Sequence, residues 1–335
     1  MYDLVLCSMF KNENLILGEW IEHYIEMGVQ HFYLIDNGST DSYMDTLQPY
    51  IDRKLVTLTV DPFRFPKSDE WKTLEGTYYD VDANEIRFEK ERHKHTQAYL
   101  MNKHYLKKIK DNAVWVIVVD QDEYFFSKQT TLRNMVQSLD DTVDLIWAPW
   151  RIFGTSGHRQ HPDSIRRGFV HRRPFEAEQI RICESQSIRG YGKSISRVKK
   201  ITDIGIHVCQ FQQGDLLHLM FPNGNTVEIV ANGFNRVLSI HFPQFREEPS
   251  TDLLFLNHYA VMSLDYFQNY KTQRDGGADN VRDMAQYFDR FNKGADEVDT
   301  DILESPWLSI VPFSEKEMKD AKSRKMHTLK DISNK

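Results

Sequence analysis

The stretch Val114-Trp-Val-Ile-Val-Val-Asp120-Gln-Asp122-Glu-Tyr-Phe-Phe126 constrains this chain more than any other. Its first six residues are apolar and mostly β-branched, and they run straight into carboxylates. Such a run reads as a strand buried on both faces, hence a central strand of a parallel sheet. The acids then stand at the strand's carboxyl end, where open α/β sheets bind ligands. Side chains two apart point to the same side of an extended segment, so Asp120 and Asp122 can converge on one cation. Hard divalent cations take oxygen ligands and bridge carboxylates to phosphates, so the pair suggests Mg²⁺ or Mn²⁺ holding a diphosphate. The same pair also suits a polar turn that merely closes a core strand. Asp80-Val-Asp82 and Asp299-Thr-Asp301 repeat the spacing, but neither follows an apolar run; both read as solvated loop acids.

The flanking pattern supports an α/β domain. Residues 3 to 9 read as a strand, Phe10 to Asn14 as a polar loop, and Leu15 to Met27 as an amphipathic helix. Ile16, Trp20, Tyr24 and Met27 fall at helical spacing, and Gly28 stops the helix. His31 to Ile35 is a second strand; it ends in Asp36-Asn-Gly-Ser-Thr-Asp41, where Ser39 or Thr40 can cap the next helix. Leu55 to Val60 makes a third strand, and this alternation implies parallel strands with right-handed crossovers. Residues 61 to 83 read as a long loop, and Asn84 to Lys110 as a polar helix feeding the central strand. Thr130 to Leu139 follows as a short helix and Val143 to Ala148 as another buried strand. From Trp150 to Phe175 the pattern dissolves into Gly, His, Arg and Pro, a candidate substrate loop. Beyond it strands are expected at 195–198, 206–211, 216–221, 226–231 and 236–242, with Asn223-Gly224 as a hairpin turn. Leu253 to His258 is one more apolar run; 263–272 and 281–291 read as helices, and 314–335 as a charged, lysine-rich tail.

The totals exclude some classes. The chain has 335 residues, 40% of them apolar, enough for one main domain. A net charge of −7 argues against a general nucleic-acid binder. Cys7, Cys183 and Cys209 have no metal-ligand spacing and suggest a reducing compartment. No apolar run approaches the roughly 18 residues of a membrane span, and none reads as a signal peptide. The expectation is a soluble, cytoplasmic protein with no transmembrane segment.

Several pieces together resemble a known group. Lys11-Asn-Glu13, then Glu19-Trp20-Ile21-Glu22-His23-Tyr24, then Phe32-Tyr-Leu-Ile-Asp36-Asn-Gly-Ser-Thr-Asp41 resemble the opening of glycosyltransferase family 92 and its family 2-like relatives. Asp120-Gln-Asp122-Glu123-Tyr124 is similar to that group's Asp-x-Asp-Glu-Phe. Trp150-Arg151-x-Phe153-Gly154-x-Ser156-Gly157-His158 is similar to its Trp-x-x-Phe-Gly-Ser-x-Gly-His. Lys193-Ser-Ile, His207 and Asn257-His258-Tyr259-x-x-x-Ser263-x-x-x-Phe267 resemble later signatures. The resemblance covers about residues 3 to 273. It implies a GT-A-like, Rossmann-like α/β fold over 1–273, a mixed sheet flanked by helices, with 274–335 as a helical C-terminal extension.

The resemblance implies transfer of a sugar, with inversion, from a nucleotide diphosphate sugar to a hydroxyl on a glycan or glycoprotein. By family habit the donor is a uridine diphosphate sugar. The residues it points to for the donor are Lys11, Asn12, Glu13, Asp36, Asn37, Asp41, Gln97, Asp120, Trp150 and Lys193. Asp36 could equally be a turn residue bonding its own backbone, and Gln97 a solvated helix residue. Asp120, Asp122 and His258 are the expected metal ligands for Mn²⁺ or Mg²⁺, with Glu123 supporting them from behind. Lys193 is the expected cation at the leaving group, and His207 is either structural or close to the diphosphate. Inversion also needs a base; Asp163 is chosen over Glu176, Glu178 and Glu184 because it lies in the presumed acceptor loop. Two other readings stay open. A sugar-phosphate nucleotidyltransferase shares strand-end acids, but Phe10 to Asn14 lacks the glycines of its phosphate loop. A non-catalytic carbohydrate-binding module would not need the acids and His258 intact.

Overall fold

A computed structural model describes residues 1–65, 95–175, 192–231, 253–273, 283–328 and 330–331. Within them the chain order gives strands β1 (Tyr2–Phe10), β2 (His31–Asp36), β3 (Val56–Val60), β4 (Ala113–Val118), β5 (Glu123–Phe126), β6 (Val143–Pro149), β7 (Arg151–Ile152) and β8 (His171–Arg172). Then come β9 (Gly192–Arg197), β10 (Ile201–Asp203), β11 (Gln210–Phe211), β12 (Leu216–Met220), β13 (Thr226–Val230), β14 (Phe255–His258) and β15 (Glu297–Val298). The large sheet runs β13-β12-β6-β9-β4-β1-β2-β3. Its β4-β1-β2-β3 half is all parallel. Beyond β4 the sheet is mixed: β9 lies antiparallel between β4 and β6, while β12 is parallel to β6. The fold class is therefore α/β with a mixed sheet, and the central strand has one antiparallel neighbour where parallel ones were expected.

Helices cover both faces. On one side α1 (Asn14–Glu26) buries Ile16, Leu17, Trp20, Ile21 and Tyr24, and α2 (Tyr43–Asp52) adds Tyr43 and Leu47. Each fully buried Ile or Leu of such a stripe contributes about 2 kcal/mol. Gly28 does end α1, at a φ of +91°, and a Cβ there would lie 2.6 Å from Arg133 Cβ. On the other side, residues 96–112 form α3 (Thr96–Met101), a π turn (Asn102–Leu106) and α4 (Lys107–Asn112), burying Leu100, Met101, Tyr105 and Ile109. Residues 84–94 of the expected long helix lie outside the described residues, as do the strand expected at 236–242, Cys183 and the pair Asp80 and Asp82. The helix α2 starts after Ser42, not Ser39 or Thr40. Those two are taken by the neighbouring loop: Asn12 N–H donates to Ser39 Oγ and Thr40 N–H to Asn12 Oδ1.

A second, three-stranded sheet packs β14 between β5 (antiparallel) and β7 (parallel). It arises because the expected loop from Trp150 to Phe175 is not structureless: it holds β7, the short helix α6 (Ile165–Gly168; α5 is Leu132–Ser138) and β8. Further on, α7 (Leu264–Asn269) and a 3-10 turn (Lys271–Gln273) replace one expected helix, and α8 (Met284–Asn292) follows. The C-terminal residues include a strand as well as helices: β15 pairs antiparallel with β8, and α9 (Glu315–Ser323) carries a Ser314–Glu317 capping box.

Asp299 and Asp301 are not solvated loop acids. Asp299 is 8% exposed and pairs with Arg151 at 3.1 Å and Arg172 at 2.7 Å. Asp301 bonds Arg151 at 2.5 Å and Lys128 at 2.6 Å. Their partners come from β7, from β8 and from the residue Lys128 after β5, so local spacing carries no sign of them. No helix among the described residues is long and apolar enough to cross a membrane.

Candidate active site

The order β3-β2-β1-β4 opens a crevice at the carboxyl ends of β1 and β4, where the chain runs off in opposite directions. Register makes the edge stepped: Phe10 pairs with Asp36, but β4 ends with Val118 opposite Cys7, three residues short of Phe10. Lys11 and Asn37 therefore leave the sheet along one rim, and Val119 leaves it lower, beside Ser8. Ser8 ties β1 to β4 there, donating to the Val119 carbonyl and accepting from Gln121 Nε2 at 2.8 Å.

The two loops of the parallel half are stitched together. Besides the Asn12 bonds, Asn14 N–H donates to Asp41 Oδ2 at 2.9 Å and Asn37 N–H to the Phe10 carbonyl. Asn12 sits at a φ of 53°, uncommon for a non-glycine but tolerated by Asn. Asp36, 2% exposed, accepts from Ser39 N–H at 2.8 Å and Tyr43 Oη at 3.1 Å, so its two oxygens close their own turn. Asn37 braces the segment after β3 through the Asp61 and Phe63 carbonyls and Arg64 Nε. Glu13 accepts from Tyr266 Oη at 2.8 Å. Lys11 lies on the same rim.

The acids that follow β4 are not on an extended segment. Residues 120–123 make a turn, closed by Glu123 N–H onto the Asp120 carbonyl at 3.1 Å. The alternation argument therefore fails, and the two aspartates part company. Asp120 keeps 39% of its side chain exposed and is held by Gln97 Nε2 at 2.9 Å and Lys193 Nζ at 3.1 Å. Asp122 turns towards β14, where Tyr259 N–H donates to its carbonyl and His258 Nε2 lies 3.7 Å from its Oδ1. The antiparallel register explains the meeting, since it sets His258 opposite Glu123. One ligand atom each from Asp122, Glu123 and His258 lies within 4.8 Å of the others; Asp120 is not in that set. Asp122 Oδ1, Glu123 Oε1 and His258 Nδ1 are buried and find no hydrogen-bond partner among the described residues. Buried oxygens and an imidazole nitrogen left that way suit a cation that takes mixed oxygen and nitrogen donors.

Lys193 is fully buried, with Asp120 on one side and Glu123 Oε2 at 3.1 Å on the other; its third contact is the Ile206 carbonyl. Its ammonium is committed to those groups and does not face the crevice as a free cation. Burial alone would lower its pKa, but Asp120 and Glu123 reverse that and hold it above the ordinary lysine value. Burial also resists charge on Asp120, and Lys193 outweighs it, so Asp120 stays below the usual carboxylate range. Glu123 is pushed up to about 8 by burial, with Lys193 opposing and Asp120 and Asp122 adding to the rise. For Asp122, burial is overcome by Lys271 and His258, which hold the carboxyl well below its usual range. Trp150, 8% exposed, packs its ring 4.3 Å from His258 and 5.5 Å from His207. Burial, then the Lys193 ammonium, pushes His207 down to about 4, so it is neutral.

Sequence patterns missed Lys271, which pairs with Asp122, because an isolated lysine after a helix carries no motif. They missed Tyr266 because it sits in an unspecified gap of its signature. Asp163 is exposed, just before Ser164 caps α6. Its neighbour His161 packs on Tyr266, ring centres 5.5 Å apart, and Tyr266 reaches Glu13. Glu176, Glu178 and Glu184 lie outside the described residues. The loop is pinned by Glu19 of α1, which accepts from Ser164 Oγ, Ile165 N–H, Arg166 N–H and Arg166 Nε. Glu19→Ala should therefore cost about 2–3 kcal/mol, read as a lower midpoint in urea, because Arg166 keeps only Glu26. An unchanged midpoint would show that the loop is held elsewhere.

Comparison with known proteins agrees with the early motifs. Residues 2–253 match the model of glycosyltransferase family 92. A family 92 protein of Ricinus communis is 28% identical over 167 residues, covering 48% of this chain and 24% of its own length. The chain thus spans about a quarter of that curated relative. Among solved structures, TarS of S. aureus aligns at a TM-score of 0.32 and 14% identity, over 58% of this chain and 47% of that one. HddC from Yersinia pseudotuberculosis aligns at a TM-score of 0.29 and 13% identity, over 59% and 78%. With the family model matched from the first strand to two residues before β14, the chain belongs to glycosyltransferase family 92.

Proposed function

We propose that this domain moves a sugar from a nucleotide diphosphate sugar, a uridine diphosphate sugar by family habit, to a hydroxyl of a glycan or glycoprotein acceptor, with inversion. The observation that carries the reading is the meeting of Asp122, Glu123 and His258 just after β4, with buried atoms on all three that find no hydrogen-bond partner among the described residues. Those three residues would hold Mn²⁺ or Mg²⁺. Bound there, the cation would neutralise charge growing on the departing diphosphate. Asp120, partly exposed and fixed by Gln97 and Lys193, offers a rigid acceptor to a donor hydroxyl. The stitched loops at Lys11 to Glu13 and Asp36 to Asp41 border the base and ribose, and Trp150 walls the sugar side. Lys193 supports this by holding Asp120 and Glu123 in place.

In a single displacement the acceptor oxygen bonds the anomeric carbon as the bond to the diphosphate breaks. The acceptor proton passes to a carboxylate, for which we propose Asp163. In support, it is exposed, and its loop meets Tyr266 beside Glu13. Asp163→Asn should lower transfer by about a hundredfold while donor affinity holds. Normal turnover in that variant would exclude Asp163 as the base. The reading as a whole is tested by a donor screen that records free nucleotide release with and without Mn²⁺. Release that needs Mn²⁺ and one uridine diphosphate sugar is expected. Metal-dependent nucleotide binding with no release from any donor and acceptor would instead identify a binding module.

A further inference from the structure

Asp122 has a cation on it already. Lys271, from the 3-10 turn after α7, donates its ammonium to Asp122 Oδ2, with the lysine side chain 14% exposed and the aspartate 7%. The other oxygen of Asp122, Oδ1, finds no hydrogen-bond partner among the described residues and lies 3.7 Å from His258 Nε2. The helix before that turn is well anchored. Ser263 caps α7, Leu264 and Asp265 N–H donate to the His158 and Arg159 carbonyls, and Tyr266 Oη donates to Glu13. Lys271 is thus the flexible end of an otherwise fastened element, and a four-carbon stem lets its ammonium swing without moving the backbone.

Most of the negative charge is already met without a divalent ion. Asp120, Asp122 and Glu123 face the two ammonium groups of Lys193 and Lys271. Lys193 is fully buried among three partners, whereas the Lys271 side chain keeps 14% of its surface in solvent. A divalent ion entering among Asp122, Glu123 and His258 would meet the Lys271 charge on its main anionic ligand, and two cations sharing one buried carboxylate repel strongly.

We propose that Lys271 is a tethered counter-cation that competes with the divalent ion for Asp122, so that the ion binds tightly only when a diphosphate draws the ammonium off the carboxylate. Lys271 then hydrogen-bonds the phosphate oxygens, and the residue makes metal and donor binding interdependent. This rests on the metal-dependent reading above.

The test titrates the whole chain with Mn²⁺, followed by calorimetry and by the electron paramagnetic resonance of free Mn²⁺, with and without saturating UDP. In the unsubstituted protein UDP should tighten Mn²⁺ at least tenfold. Lys271→Met should bind Mn²⁺ alone at least tenfold tighter than the unsubstituted protein. The gain from UDP should shrink by a similar factor, since coupling is reciprocal. Lys271→Arg keeps the charge and should behave like lysine. A lysine that only braces α7 would lower thermal stability on substitution and leave Mn²⁺ affinity without UDP unchanged. Should Lys271→Met fail to fold, Lys271→Gln carries the same expectation. Mn²⁺ affinity without UDP that is equal or weaker in the folded neutral variant overturns the inference, while UDP-dependent Mn²⁺ binding would leave the metal reading intact. No Mn²⁺ binding with or without UDP overturns both.

Discussion

Replacing Asp122 by alanine should lower sugar transfer roughly a thousandfold, the scale for losing a group that stabilises charge on a leaving group. The fold should survive. The Asp122 main chain stays zipped to β14 through Tyr259 N–H, and that bond does not need the side chain. Lys271 would lose a carboxylate but can turn its ammonium to solvent, so stability should fall by only about 1–3 kcal/mol. Mn²⁺-dependent UDP binding should vanish along with transfer. Asp299→Ala gives the contrast. It removes the buried partner of Arg151 and Arg172, so stability should fall by about 3 kcal/mol, while nucleotide binding by the folded fraction persists. Single-turnover rates and melting curves for both variants separate the two effects. If both lost rate equally at matched folded fraction, Asp122 would hold no special place.

Lys193→Met should be the most destabilising single change in the site. It leaves the fully buried Glu123 and the adjacent Asp120 without their shared ammonium, and breaking a buried pair costs about 3–5 kcal/mol. The lower end is expected, because Glu123, already pushed up to about 8 by burial, can take a proton and remove one charge. The midpoint of thermal unfolding should drop by roughly 5 °C. Adding Glu123→Gln in the same chain should restore about half the loss, since the two residues are coupled directly. A loss under about 1 kcal/mol in the single variant would refute the assignment of Lys193 as the charge that holds these acids.

What could be read from the sequence follows the range of the forces involved. The strands 2–10, 31–36 and 113–118 and the helix 14–26 are written in local periodicity, so they were legible to within a residue or two. That acids close the central strand was legible too, because an apolar run ending in carboxylates has few other uses. The turn at 120–123 was not, since Gln121 looks like a spacer until Ser8 of another strand bonds it. Asp36 was open to two readings, and its two oxygens close their own turn; the full burial of Lys193 between two acids had no local sign. Asp299 and Asp301 were misread outright, because a carboxylate's environment depends on partners that no local window contains. Lys271 escaped for the same reason, being 149 residues from the aspartate it meets.

The knot of Arg151, Arg172 and Lys128 with Asp299 and Asp301 has a consequence for how the molecule is made. Arg151 and Asp299 are 148 residues apart, and Lys128 and Asp301 are 173 apart. At roughly 5–20 residues per second, a ribosome needs on the order of ten to thirty seconds to deliver the aspartates after the arginine has emerged. Through that interval the parallel β1-to-β4 half can be complete while the Trp150 loop still lacks the anions that set it. That loop is then the last part to mature during synthesis, and its arginines, still without their aspartates, are what a chaperone has most to protect.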